Sequence, residues 1–252
     1  MALKKELILT LTCLKEVDVK GVGPKKILVI GNTIIDKGLC IESLKDLSVL
    51  MKGMKEKAIN KVTLEDLEKA NKYALNIIAA SKANGIELVG YYDDEFPESL
   101  RKTVDEEGKL NPPLLLWYRG DLSITQLPGI AVIGTREPTD EGIIGGKYLA
   151  GEFAKRGFNI VSGLAVGCDT CGHQGALEAG GKTTAILAKA LSSSLLEKSP
   201  RPLASSTSAA NAAFRKSSLP IFLACSSNTR MNSSPMILRL RSGSVTPASL
   251  LK

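Results

Sequence analysis

Leu3, Leu7, Leu11 and Leu14 recur at the spacing of one helical face and predict an amphipathic helix over residues 3–15. Val19-Lys20-Gly21-Val22-Gly23-Pro24-Lys25-Lys26 then reads as the tight turn of a helix–hairpin–helix, with Pro opening the second helix. Residues 41–54 predict one or two short helices. A longer helix is expected over 64–84: Thr63 is its N-cap, Asp66 sits at N3, and Leu64, Leu67, Ala70, Ala74, Ile77 and Ile78 form its apolar stripe before Gly85. Short apolar runs at Ile86–Val89 and Leu114–Tyr118 predict strands.

From 129 to 187 the period alternates between strand and helix. Gly129–Ile133 is a wholly apolar run suited to the middle of a parallel sheet. A loop at 134–139 leads through Thr139, a plausible N-cap, into a helix containing Ala150 and Phe153 that stops at Gly157. Phe158–Ser162 is the next strand and Gly163–Gly167 the next loop. A helix from about Thr170 to Gly180-Gly181 and a third strand, Thr183–Leu187, complete the series. Strand–helix–strand–helix–strand with right-handed crossovers is one half of a doubly wound sheet. The expected fold class is therefore α/β: a partial doubly wound, Rossmann-like parallel sheet preceded by a small helical domain of helix–hairpin–helix type. The expected domains are a helical one at 1–84, an incomplete Rossmann-like one at 85–188, and a Ser-rich basic tail at 189–252.

Charge sharpens this division. The chain carries a net +7, but nine of its 33 Lys/Arg and only one of its 26 Asp/Glu lie in 189–252. The first 188 residues hold 24 bases and 25 acids, so overall basicity does not by itself identify a nucleic-acid surface there. The tail has sixteen serines in 64 residues, a single glycine, and no Asp, Tyr or Trp. Its apolar residues come in unperiodic clumps such as Ile221-Phe222-Leu223 and Met236-Ile237-Leu238. The plain expectation is a disordered tail; the sharper one is a change of reading frame near Lys189, leaving the sheet short with an unpaired edge. No run of about 18 apolar residues is present, so no membrane span is expected. The charged opening Met1–Glu6 does not suit a signal peptide, and a cytoplasmic location is the expectation. Five scattered cysteines suggest free thiols.

Two loops carry the candidate chemistry. Both leave the carboxyl ends of strands and enter helix N-termini, where amides and the helix dipole favour anions. Gly134 and Gly163 would let a phosphate approach the backbone, and Arg136 would add a charge-assisted hydrogen bond. The plainer alternative is that these glycines only make tight turns. For the hairpin, Gly21, Gly23, Lys25 and Lys26 form either a secondary DNA-phosphate contact or an ordinary helix connection. Cys168-Asp169-Thr170-Cys171 has C-x-x-C spacing at a helix start, but zinc needs four ligands and no second pair follows. The expectation is two ordinary thiols, no metal, no cofactor and no catalytic residue. A nicotinamide enzyme would want G-x-G-x-x-G after the first strand, and Gly134-Thr135-Arg136 is not that.

Taken in order, Val132–Thr139, Ile160–Asp169 and His173–Thr183, with Phe96-Pro97, Pro112-Pro113 and Arg119-Gly120-Asp121 upstream, resemble the DNA-processing protein A (DprA/Smf) family. The resemblance covers about residues 5–188. It implies a non-enzymatic protein that binds single-stranded DNA in a basic pocket over the sheet, acts in natural transformation and loads a RecA-type recombinase. Carried over, it implies phosphate contacts at Gly134, Thr135, Arg136, Ser162, Gly163, Gly167 and Lys182. Asp169 would either order its loop or touch ligand, and His173 would be either structural or a DNA contact. The family's next features, an acidic Ser-Glu segment and an Arg-Asn-Arg motif, are not recognisable here, which puts the family's homodimer in doubt. The alternative is a nucleotide-binding or nucleotide-hydrolysing enzyme of the lysine-decarboxylase-like group, although its Pro-Gly-Gly-x-Gly-Thr loop is not found.

Overall fold

The structure, a computed structural model, describes residues 3–187 and the strands Ile221–Cys225 and Met236–Arg239. The chain divides into two compact units, Met1–Leu116 with Cys225–Asn232, and Trp117–Ala224 with Ser233–Lys252.

The first unit is mainly helical. It contains α1 (Lys5–Thr12), a 3-10 turn (Cys13–Val17), α2 (Pro24–Asp36), α3 (Leu44–Lys52), α4 (Lys57–Asn60), α5 (Leu64–Ala83), β1 (Glu87–Gly90) and α6 (Glu98–Arg101). The buried face of α1 is Ile8, Leu9 and Leu11, continued by Leu14 in the turn, while Leu7 is half-buried. Three of the four expected stripe residues, Leu3, Leu11 and Leu14, are thus buried, and Ile8 and Leu9 widen the face. Helix α5 starts where the capping signal puts it. The Thr63 amide donates to Asp66 Oδ2 at 2.9 Å and the Asp66 amide donates to Thr63 Oγ1 at 3.1 Å, satisfying two otherwise orphan donors. It ends where Gly85 turns left-handed at φ 64° and the Ile86 amide donates back to the Ser81 carbonyl at 2.9 Å.

After β2 (Leu115–Arg119), the second unit runs β3 (Gly129–Ile133), α7 (Asp140–Lys155), β4 (Asn159–Ser162), α8 (Cys168–Glu178) and β5 (Lys182–Leu187). Strands β3, β4 and β5 are parallel neighbours, with Ile130 opposite Ile160 and Ile160 opposite Thr183. Ile130, Val132, Ile160, Ala150, Ala154 and Ala176 form the core between sheet and helices. Phe153 and Phe158 pack edge to face beside it, with ring centroids 6.0 Å apart. The two helices meet backbone to backbone. A Cβ on Gly175 would run into the Lys147 carbonyl, and one on Gly151 would stand 3.1 Å from the Gly175 carbonyl oxygen.

The partial doubly wound expectation holds, and the sheet goes further than it predicted. β6 (Ile221–Cys225) pairs in parallel with β5, and β7 (Met236–Arg239) pairs in parallel with β3, giving the order β6-β5-β4-β3-β7 in this unit. The expectation of an unpaired edge is therefore corrected: both outer strands of the β3–β5 block have partners, drawn from the apolar clumps noted above. The rest of 188–252, on which the tail reading bears, lies outside the described residues.

Candidate functional site

Loops 134–139 and 163–167 leave the carboxyl ends of adjacent parallel strands and touch each other. The contact is at Gly167, where φ is +88° and a Cβ would stand 2.6 Å from the Arg136 carbonyl oxygen. Only glycine suits both that conformation and that space. The Cys168 amide, first in α8, donates to the Thr135 carbonyl at 3.0 Å. This bond starts α8 two residues before the expected Thr170. Gly134, Thr135 and Arg136 are all exposed. The Thr135 hydroxyl accepts from the Glu137 amide at 3.2 Å, and Thr139 Oγ1 caps α7 by accepting from the Gly142 amide at 3.2 Å.

Arg136 differs from the cations of α7, the helix that its loop leads into. Lys147 pairs with Glu178 at 3.1 Å, and Lys155 and Arg156 both pair with Glu152, at 3.0 and 2.9 Å. Among the described residues Arg136 is in no ion pair. Its surroundings are not strongly basic, since Glu137, Asp140 and Glu141 follow directly and the last two already complement the positive end of α7. A ligand phosphate here would be held by one guanidinium and the backbone of an exposed, glycine-led turn.

The second loop is arranged differently from the expectation. Its amides do not face outward: Gly163 and Ala165 both donate to Asp169 Oδ2, at 3.1 and 3.2 Å. Leu164 between them is left-handed at φ 64°, so the two N–H groups converge as an anion nest, and a carboxylate of this chain fills it. Ser162 is buried, and its hydroxyl donates to the Val132 carbonyl at 2.6 Å, tying β4 to β3. Ser162, Gly163 and Gly167 thus shape the loops beneath the exposed turn.

Lys182 is not brought to this place. It begins β5 opposite Asn159, at the amino ends of the strands, whereas Gly134 and Gly163 follow the carboxyl ends. Parallel strands put those positions at opposite edges of the sheet, which corrects its grouping with the loops. Gly21, Gly23, Lys25 and Lys26 belong to the first unit. There Gly21 has φ +89° and Gly23 caps α2, but Pro24 has no N–H and the Lys26 amide already bonds the Gly23 carbonyl at 2.9 Å. The Lys25 ammonium pairs with Asp105 at 3.1 Å.

His173 is fully buried. Its Nδ1 lies 2.6 Å from Thr183 Oγ1, which itself donates to the Ile160 carbonyl at 2.7 Å, so the proton of this bond sits on Nδ1. Burial lowers its pKa to about 4, and the nearby Asp169 opposes this only partly. It is a neutral tie between α8 and the sheet. Cys168 and Cys171 are buried as free thiols, and burial raises the pKa of Cys171. Among the described residues no cluster of His, Cys, Asp or Glu suits a metal, and no helix is long and apolar enough to cross a membrane. Sequence reasoning missed the buried Asn159–Thr184 pair, in which Asn159 Nδ2 donates to Thr184 Oγ1 at 2.9 Å across β4 and β5. A polar residue opening an apolar strand was its one visible sign.

Residues 87–209 match the family model described as DNA recombination-mediator protein A. The Protein Smf of Synechocystis is 41% identical over 85 residues, 32% of this chain and 21% of that protein. The DNA processing protein DprA of Streptococcus pneumoniae is 37% identical over 100 residues, 39% of this chain and 33% of that protein. The chain therefore spans between about a fifth and a third of these relatives. The X-ray structure of DNA processing protein A from Streptococcus pneumoniae superimposes with a TM-score of 0.58 at 20% identity, covering 89% of this chain and 68% of that one, and shares the fold. With the ordered loop motifs, these matches show that residues 87–209 are similar to the DNA-processing protein A (DprA/Smf) family.

Proposed function

We propose that this chain is a DNA-processing protein that binds single-stranded DNA without catalysing a reaction on it, with the Gly134-Thr135-Arg136 turn as its phosphate contact. The observation that carries this reading is an exposed arginine that is in no ion pair among the described residues, on a glycine-led turn at the carboxyl end of a buried parallel strand. In the family reading such a protein works in the cytoplasm during DNA uptake and passes the strand to a RecA-type recombinase. The loading step and the homodimer draw on chain beyond β5, where this sequence departs from the family pattern, so strand binding is the activity proposed to remain. Lys182 and the α2 turn are left out of the site, the first for its position and the second because Lys25 is already paired.

Titration of a labelled oligo-dT against the full chain, with unlabelled duplex as competitor, tests this. Arg136→Ala should weaken single-strand binding by about 1–3 kcal/mol and leave the melting temperature unchanged, since a charge-assisted hydrogen bond is worth about that much. The basic residues after 188 contribute equally to both proteins, so the difference isolates the turn. Unchanged affinity removes Arg136 from the site. Stabilisation by AMP but not by oligo-dT in a thermal-shift comparison would favour the nucleotide-enzyme alternative.

A further inference from the structure

We propose that Asp169 is a positioning residue for the Arg136 turn, acting as a built-in anion that locks one loop so that this loop can clamp the other. The inference rests on the reading of Arg136 given above. Asp169 is 8% exposed, and a single oxygen, Oδ2, receives both the Gly163 and Ala165 amides. Holding both amides on one atom fits the left-handed turn of Leu164, a conformation that a non-glycine residue adopts only when its surroundings enforce it. The Thr170 hydroxyl fastens the same loop by donating to the Ala165 carbonyl at 2.8 Å. With the loop fixed, Gly167 meets the Thr135 and Arg136 carbonyls and the Cys168 amide bonds Thr135. Every link from the carboxylate to the Arg136 backbone is thus a hydrogen bond or a close packing contact. A simpler role, in which an acid in the first turn of α8 merely favours the helix dipole, would not require Oδ2 to face back into the preceding loop.

The same geometry limits the ligand. The nest at Gly163–Ala165 is occupied from within, so a strand phosphate is taken at the Arg136 turn and not at both loops.

The test is a double-mutant cycle on the full chain, read as oligo-dT affinity across a salt series. Asp169→Ala should weaken binding about tenfold, in keeping with loss of hydrogen bonds to a charged acceptor. It should also make the log K against log salt slope shallower by about 0.7, the value of one single-strand phosphate contact, as Arg136→Ala does. In an Arg136→Ala background it should cost almost nothing more. Asp169→Asn, whose Oδ1 can accept both amides, should restore binding. Thr170→Val, a milder disturbance of the same loop, should give a smaller loss that also vanishes without Arg136 and that stays measurable if Asp169→Ala fails to fold. The proposal is overturned if Asp169→Ala weakens binding with the slope unchanged, or if its effect persists in full without Arg136. An increase in affinity would also overturn it, since the emptied nest would then be taking phosphate. An Arg136→Ala protein that binds like the parent sinks the underlying reading, and this inference with it.

Discussion

At the level of single side chains, burial decides protonation. His173 would gain a proton at its ordinary pKa of 6.5 in the unfolded chain but holds out to about 4 when folded. Above pH 6.5 both states are neutral and the histidine contributes no pH dependence. As pH falls from 6.5 toward 4 the unfolded state binds a proton that the folded state refuses, so stability drops. The loss amounts to about 2 kcal/mol between pH 7 and pH 5, and about 3 kcal/mol once both forms are protonated. Urea unfolding at pH 7 and pH 5 should show it, and His173→Gln should flatten the difference. The exposed carboxylates with lowered pKa, Asp66 and Asp121 among them, titrate below this window, so an unchanged slope in the variant would refute the assignment. Such residue-level facts were only partly legible beforehand. Gly134 and Arg136 were visible because their loop follows a run of apolar residues. The filling of the nest by Asp169 was not, because it depends on the left-handed turn at Leu164, a residue type that does not announce one. The misplacement of Lys182 was avoidable: strands that run the same way separate a residue at the start of one from residues past the ends of the others.

Elements were legible in proportion to their contrast. Helix α5 carries a capping box, a long stripe and a terminal glycine, and its predicted limits hold to within a residue. Helix α8 carries no apolar stripe. Its buried face is Cys168, Cys171, Gly172, His173, Gly175 and Ala176, small and polar residues that periodicity cannot distinguish from an exposed face. That face exists because α7 and α8 approach until a backbone atom of one fills the space where the other would carry a side chain. The packing reverses an ordinary rule. Replacing glycine by alanine inside a helix normally stabilises by about 0.5–1 kcal/mol. At Gly175 the new methyl would push against the Lys147 carbonyl, and overpacking of this kind costs about 1–3 kcal/mol. Gly175→Ala should therefore lower the melting temperature, whereas Gly145→Ala, on the same helix pair with open space around it, should not. A rise at Gly175 would mean that the helices stand further apart than described here.

For the whole molecule the question is whether chain beyond β5 belongs to the fold that precedes it. Composition divides sharply: glycine falls from 22 residues in the first 188 to one in the last 64, and acids fall from 25 to one. Two clumps from that stretch nevertheless pair with the sheet as β6 and β7. The two observations are compatible, because an outer strand offers a row of backbone donors and acceptors that accepts almost any short apolar segment. Edge pairing of this kind asks for β-prone residues, as in Ile221-Phe222-Leu223 and Met236-Ile237-Leu238, and not for a particular sequence. The match to the family model runs to residue 209, past the change in composition at about Lys189. We propose that the reading frame changes between those two positions. Reading the coding sequence in the other two frames from codon 189 onward should then restore an acidic Ser-Glu segment followed by an Arg-Asn-Arg motif, with glycine returning to the frequency seen before residue 188. Resequencing the gene through this interval would show whether the shift lies in the DNA. If neither alternative frame yields those features, the serine-rich stretch is the protein's own, and β6 and β7 are part of an evolved sheet.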